Sequence, residues 1–238
     1  MLPIDVPTLE SLEFVLQYAK SQARLLEVGC GEGDLAAAMS KAGLNVHAID
    51  RSDEAIAVAK SKGVNAVCAD ILTYAEEPFD VVLFTRSLHH IQPLQLAINQ
   101  AHKLLDSGGI LLIEDFVPEI VNQDAISWLH ETQSRIGRTA FCSHCERGHI
   151  KISTVDQWRE HHFVKHEVAT GASLKEAVSA KFPPVKIEMV PYLYRYAVDN
   201  IKAHEDGGEL ARKILLEETE LIAKGKIPAV GIRIVARQ

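Results

Sequence analysis

Residues 25–34 read Leu25-Leu26-Glu27-Val28-Gly29-Cys30-Gly31-Glu32-Gly33-Asp34. The apolar run Arg24–Val28 predicts a buried strand closing on Gly29, and the Ala-rich run Asp34–Lys41 predicts a helix stopped by Gly43. Between them a glycine stands at every second position. Without a Cβ the chain turns sharply, and a ligand can approach the backbone closely. Spacing and charge narrow the choice of ligand. A dinucleotide-binding turn wants its third glycine at position 34, where this chain has Asp34. Glu27, Glu32 and Asp34 would also repel a pyrophosphate, whereas a ligand carrying an ammonium and a sulfonium suits that acidity.

The same alternation continues outward from the turn. Asn45–Asp50 predicts a second strand, and Ser52 suits the N-cap of a helix whose first turn holds Asp53 and Glu54 and whose end is Gly63. Val64–Ala69 and Phe79–Phe84 predict the third and fourth strands. Pro93 opens a helix with apolar residues at Leu94, Ala97, Ile98, Ala101, Leu104 and Leu105, a 3.6-residue period. Ser107-Gly108-Gly109 breaks it before a fifth strand, Ile110–Ile113. Repeated strand–helix units of this kind build an α/β doubly wound sheet.

Composition sets outer bounds. The 238 residues are 47% hydrophobic, enough for a sizeable core and against a disordered chain. Twenty-five basic against thirty-two acidic side chains leave a formal charge of −7, so no nucleic-acid partner is expected. No apolar run approaches the roughly 18 residues a membrane span needs. The start, Met-Leu-Pro-Ile-Asp-Val-Pro, carries no basic leader, and Cys30 and Cys68 stand isolated, so a cytoplasmic, reducing setting is expected. Nothing in the sequence fixes an oligomeric state.

The glycine turn resembles the first motif of the class I S-adenosylmethionine-dependent methyltransferases, and further motifs follow in order. Val46-His47-Ala48-Ile49-Asp50 resembles the second strand, Cys68-Ala69-Asp70-Ile71 the third-strand motif, Phe79–Ile91 the fourth, and Leu104–Ile113 the turn into the fifth. The resemblance covers about residues 20–115 closely. It implies a Rossmann-like, seven-stranded sheet, mostly parallel with the last strand antiparallel, in one domain over 1–238. It also implies a helical cap insertion at 116–184 and a second helical insertion at 198–226. The cofactor implied is S-adenosyl-L-methionine, leaving as S-adenosyl-L-homocysteine. Its implied contacts are Glu27, Gly29, Cys30, Gly31 and Gly33 on the turn. Asp50 would bind the ribose hydroxyls, Arg51 would lie beside the adenine, Asp70 and Ile71 would read the adenine edge, and Thr85 and Arg86 follow the fourth strand.

Methyl transfer asks for alignment, and for proton removal where the acceptor carries a proton. His89 and His90, after the fourth strand, are candidates for a base or a brace. Glu114 and Asp115, after the fifth, could orient an acceptor, cap the next segment or balance Arg86. Two adjacent acids do not make a Mg²⁺ cluster, and no metal is expected there. The expected acceptor is a small molecule, since about 70 residues between the fifth and sixth strands are enough to cover a pocket. A protein or peptide acceptor, an inactive cofactor-binding partner and a nicotinamide reductase are the alternatives.

The second half is less regular. Val185–Ala197 predicts a sixth strand with Tyr192, Tyr194 and Tyr196 on one face, either packing or walling a substrate with Arg195 as an anion contact. Glu209–Lys224 predicts a helix and Ala229–Ala236 a last strand. Thr154 and Gln157 form a capping-box signature before Trp158, and His161-His162 would lie on a partly exposed helix face. Cys142, Cys145 and His149 have ligand-like spacing, with His161, His162 or His166 to complete a zinc set, but a substrate-facing loop with reduced thiols fits the ambiguous second pair better.

Overall fold

The computed structural model describes residues 5–136, 152–182, 184–198, 201 and 206–238. It begins with a helix, α1 (Asp5–Leu16), that the sequence pattern did not announce. Then come β1 (Arg24–Val28), α2 (Asp34–Lys41), β2 (Asn45–Asp50), α3 (Asp53–Ser61), β3 (Ala66–Cys68) and β4 (Phe79–Thr85). A 3₁₀ turn, Leu88–His90, leads to α4 (Leu94–Leu104) and β5 (Leu105–Phe116). The remainder holds α5 (Gln123–Arg135), α6 (Val155–Arg159), α7 (Gly171–Ser179), β6 (Val185–Val190), α8 (Tyr194–Val198), α9 (Gly207–Ala223) and β7 (Gly231–Arg237).

The seven strands form one sheet in the order β3-β2-β1-β4-β5-β7-β6. β1 pairs in parallel with β2 and with β4, so the chain changes direction of winding between β1 and β4. The last strand runs antiparallel. Val117 N donates to Val230 O at one end, and Gln238 N donates to Gly109 O at the other, so the paired numbers run in opposite senses. Each local reason is visible. Ser52 Oγ accepts from Ala55 N at 3.1 Å, the cap expected of it. α4 buries Ala97, Ile98, Ala101 and Leu104, the face its period marked.

Contacts divide the chain into two compact units. One comprises Thr8–Asp115, Ala169–Glu188 and Ile232–Gln238. Its core packs strand residues such as Leu25, Val46, Val81 and Leu112 against Phe14 and Met39 from the helices. Each such side chain, fully buried, contributes about 1.5–3 kcal/mol. The other comprises Met1–Pro7, Phe116–Val168 and Met189–Gly231. Its core gathers Phe116, Trp158, Tyr192, Tyr194, Leu129 and Ile214. Among the described residues no helix is long and apolar enough to cross a membrane.

Three expectations need correction. The run 185–197 is not one strand. β6 ends at Val190 before Pro191, which has no N–H for a ladder, and the tyrosines enter the short helix α8. There Glu218, fully buried on α9, accepts from the N–H groups of Tyr192 (2.8 Å), Leu193 (2.9 Å) and Tyr194 (2.7 Å), which starts the helix. The break at Ser107–Gly109 falls inside β5, where the register jumps from Phe79↔Leu105 to Val81↔Ile110. His161 and His162 are buried, not half exposed, because Glu160–Lys165 winds as a π-helical turn that turns both rings inward.

Candidate functional site

The glycine turn is held from below by β2, since Gly29 N and Cys30 N both donate to Ile49 O, at 2.8 and 3.1 Å. All three glycines have positive φ: +75° at Gly29, +53° at Gly31 and +76° at Gly33. Their surroundings differ. A Cβ on Gly29 would stand 2.4 Å from the Ser87 Cβ, and one on Gly33 2.8 Å from the Ala59 Cβ. At Gly31 it would meet nothing within 4 Å. Gly29 and Gly33 therefore serve packing, and Gly31 leaves an open face at the carboxyl end of β1. In open α/β sheets ligands bind at this edge, where the winding reverses.

Two acids lie on the strands that carry this turn. Asp50, at the end of β2, accepts from Gly31 N at 2.8 Å through Oδ2 and from Ser52 N at 2.9 Å through Oδ1. One lone-pair site on each oxygen is left to accept from a pair of hydroxyls. Glu27, on β1, is 1% exposed; its Oε1 accepts from Thr85 Oγ1 at 3.1 Å, and its Oε2 has no partner among the described residues. Burial pushes its carboxyl up from the ordinary 4.5 to about 7. The Thr85 hydroxyl and the Arg86 charge oppose that rise, and Asp50 and Asp34 add to it. A buried carboxylate with an unmet oxygen is costly, and a cation reaching it would meet the need. The other acids of the turn are less available. Asp34 pairs with Lys62 at 2.6 Å, and Glu32 lies 3.9 Å from the same lysine. Of the three acids read on the turn, Glu32 and Asp34 thus face Lys62, and Glu27 keeps an oxygen without a hydrogen bond among the described residues.

The remaining expected contacts sit around this edge. Arg51 is exposed, with Nε 4.0 Å from Asp70 Oδ2. Asp70 Oδ1 accepts from Leu72 N, and its carbonyl accepts from Thr73 N and Tyr74 N, which fixes the turn that carries buried Ile71. Burial and the nearby Glu27 and Asp50 push the Cys30 thiol up to about 12, so it stays protonated and unreactive. Arg86 takes a left-handed φ of +55°, and its N donates to Glu114 O at 2.7 Å. Ser87, which the sequence did not single out, donates from Oγ to Val28 O at 2.5 Å and fills the space beside Gly29.

Beyond β4 the two histidines part company. His89 is buried and His90 exposed. Asp115, fully buried, holds His89 twice, with Oδ1 2.5 Å from Nδ1 and Oδ2 accepting from the backbone N at 3.2 Å. Glu114 points elsewhere in the same unit. Its Oε1 accepts from Ser11 Oγ at 2.5 Å and its Oε2 from Arg233 Nε at 2.8 Å. These bonds tie α1 and β7 to β5. Neither Ser11 nor Arg233 carries a local signal, since each is more than a hundred residues from Glu114 in the chain.

In the other unit Arg195 is buried beside the Tyr192 and Tyr194 rings, at 5.7 and 5.4 Å, with Nη1 donating to Pro7 O at 3.4 Å. The three tyrosines do not share one face of a strand. Cys142, Cys145 and His149 lie outside the described residues.

A family model described as a methyltransferase domain matches residues 7–161. A ubiquinone biosynthesis O-methyltransferase from Xylella fastidiosa is 32% identical over 102 residues, covering 39% of this chain and 42% of that protein. The matched part thus spans less than half the length of that curated relative. The fold is similar to a SAM-dependent methyltransferase from Archaeoglobus fulgidus, with TM-score 0.60 and 16% identity over 99% of this chain and 94% of that one. It is also similar to phosphoethanolamine N-methyltransferase 2 of Haemonchus contortus, a structure containing S-adenosyl-L-methionine, with TM-score 0.60 and 18% identity over 96% of this chain and 52% of that one.

Proposed function

The chain belongs to the methyltransferase-domain family, as a class I enzyme with S-adenosyl-L-methionine as its cofactor, and from that premise we propose that it methylates a hydroxyl group of a small molecule. The observation that carries the cofactor site is the open face at Gly31 between Asp50 and Glu27. The residues present fit the group. Asp50 has acceptor sites left for two ribose hydroxyls, Glu27 has an unmet buried oxygen for an ammonium, and Gly31 offers bare backbone. Arg51, Asp70 and Ile71 are assigned to the adenine side, and Gly29, Cys30, Gly33, Thr85 and Arg86 to the walls of the turn.

Bound there, the cofactor supplies a methyl group made electrophilic by its sulfonium. The chain's own contribution is alignment and handling of a proton. Alignment of reacting groups is worth up to about 7–11 kcal/mol when the geometry is near attack. His89 is assigned as the base that takes the acceptor's proton at Nε2, and Asp115 as the group that holds Nδ1 and fixes the ring. His90, exposed beside it with ring centroids 4.0 Å apart, braces the pair. Glu114 is assigned to positioning through Ser11 and Arg233.

Support for a small hydroxylic acceptor comes from the relative named as a ubiquinone biosynthesis O-methyltransferase, and the His89–Asp115 pair suits an acceptor that must lose a proton. The test is transfer of isotopic methyl from S-adenosyl-L-methionine to a panel of phenols, aliphatic alcohols, amines and a peptide mixture. The reading expects labelled ether and, for His89→Gln, a fall in kcat of about a hundredfold or more with the KM for the cofactor little changed. Label only on amines or peptides contradicts the acceptor class; cofactor binding with no label anywhere favours an inactive binding protein.

A further inference from the structure

We propose that the ligand-free protein holds Glu27 as the neutral acid and ionises it when the cofactor arrives, so that cofactor uptake releases a proton and tightens as pH rises toward neutrality. The inference rests on the cofactor reading above and adds a linkage to it. Its basis is geometric. Glu27 sits on a central strand with its side chain closed off from solvent, one oxygen bonded to the neutral Thr85 hydroxyl and the other without a partner among the described residues.

The charged and titratable groups around it come from every element at that edge. Arg86, at the end of β4, favours the carboxylate. Asp50 from β2 and Asp34 from α2 disfavour it, and Cys30 on the turn stays a neutral thiol. Arg86 is exposed, so water screens its pull, and its charge and the Thr85 hydroxyl together only partly offset the burial of the Glu27 carboxyl. The carboxyl accordingly titrates near 7 instead of 4.5. A ligand ammonium placed at Oε2 reverses the balance. The O–H bond of the acid breaks, the proton leaves to solvent, and the carboxylate pairs with the cation.

The test is calorimetric titration of the full chain with S-adenosyl-L-homocysteine from about pH 5.5 to pH 7.5, a window chosen below the α-amino pKa of about 8 so that the ligand's charge stays nearly constant. Affinity should rise by about tenfold or more across the window, with close to one proton released per ligand at its acid end in buffers of different ionisation enthalpy. Glu27→Gln should bind more weakly, with a flat profile. Should that variant not fold, carbon-13 NMR of the glutamate carboxyls in the wild-type chain must show one resonance that titrates near neutrality and stops doing so when the ligand is added. A flat wild-type profile, or a pH dependence that survives in Glu27→Gln, overturns the linkage while leaving the cofactor site in place. Absence of binding at every pH overturns both.

Discussion

At Gly31 a missing side chain leaves open space, while at Gly29 and Gly33 the space is already taken by Ser87 and Ala59. The difference separates ligand binding from packing by experiment. Gly31→Ala should cost about 1 kcal/mol of stability for its left-handed backbone and lower cofactor affinity at least tenfold. Gly29→Ala should instead lower the melting temperature sharply, because something must move to admit a Cβ at 2.4 Å. Calorimetry of binding and thermal melts of both variants give the comparison; equal effects on binding and stability would contradict it. Asp50→Ala should weaken cofactor binding about tenfold or more, through two lost charge-assisted hydrogen bonds and a loosened Gly31 N–H. For Glu27 the sign of the pH effect follows from its raised pKa. The stability it contributes is complete below about pH 4.5 and is lost as pH rises through about 7. Ligand-free Glu27→Gln should therefore gain about 1–3 kcal/mol over wild type at pH 8 and almost nothing at pH 4.5. Glu27 and the glycines stood out in the sequence because they lie on one turn, whereas Asp50, 19 residues from Gly31, was named only through the resemblance of the second strand. Ser87 was not, because its contact with Gly29 spans 58 residues and serine carries no pattern of its own.

Among the elements, α3, α4 and α6 were read from their caps or period, whereas α7 was not named although Thr170 caps it, and elements set by distant partners were missed. α4 follows its apolar period, and Thr154 caps α6 by accepting from Gln157 N at 3.2 Å, although the Gln157 side chain reaches back to Ser153 N and not to Thr154. The stretch after β6 fails as a strand for two reasons. Pro191 interrupts the ladder, and Glu218 captures three successive N–H groups. Nothing in the local pattern of α9 marks Glu218, whose partners lie 24 to 26 residues earlier in the chain. Glu218→Ala should destabilise the chain by about 3 kcal/mol or more, since three backbone donors lose their acceptor in a dry environment. A denaturant titration with a midpoint within error of wild type would contradict that role. α1 went unannounced for a related reason. It is anchored by Ser11 to Glu114, itself held by Arg233, and no such long-range pair shows in a local pattern.

For the molecule as a whole, the order β3-β2-β1-β4-β5-β7-β6 puts the glycine turn at the reversal of winding, where a ligand edge belongs. That topology was readable because short helices join β1 to β2, β2 to β3 and β4 to β5, with only a turn between β3 and β4. In the later strands insertions replace the regular connections, and the pattern thins. The unit built around Phe116–Val168 and Met189–Gly231 carries its own pH signature. His161 is buried with Nδ1 unpartnered among the described residues, and burial, aided by His166 and Lys165, lowers its pKa to about 4. A lowered histidine contributes stability above about pH 6.5 and loses it as pH falls toward 4. Thermal melts should show wild type losing stability between pH 7 and pH 5 more steeply than His161→Phe; parallel profiles would contradict the assignment. The central claim concerns the open edge at Gly31, and a crystal structure with S-adenosyl-L-homocysteine tests it most directly. The account predicts electron density along Gly31, with the ribose on Asp50 and the amino-acid end at Glu27. Density lodged anywhere else in the molecule, with this edge empty, would contradict it.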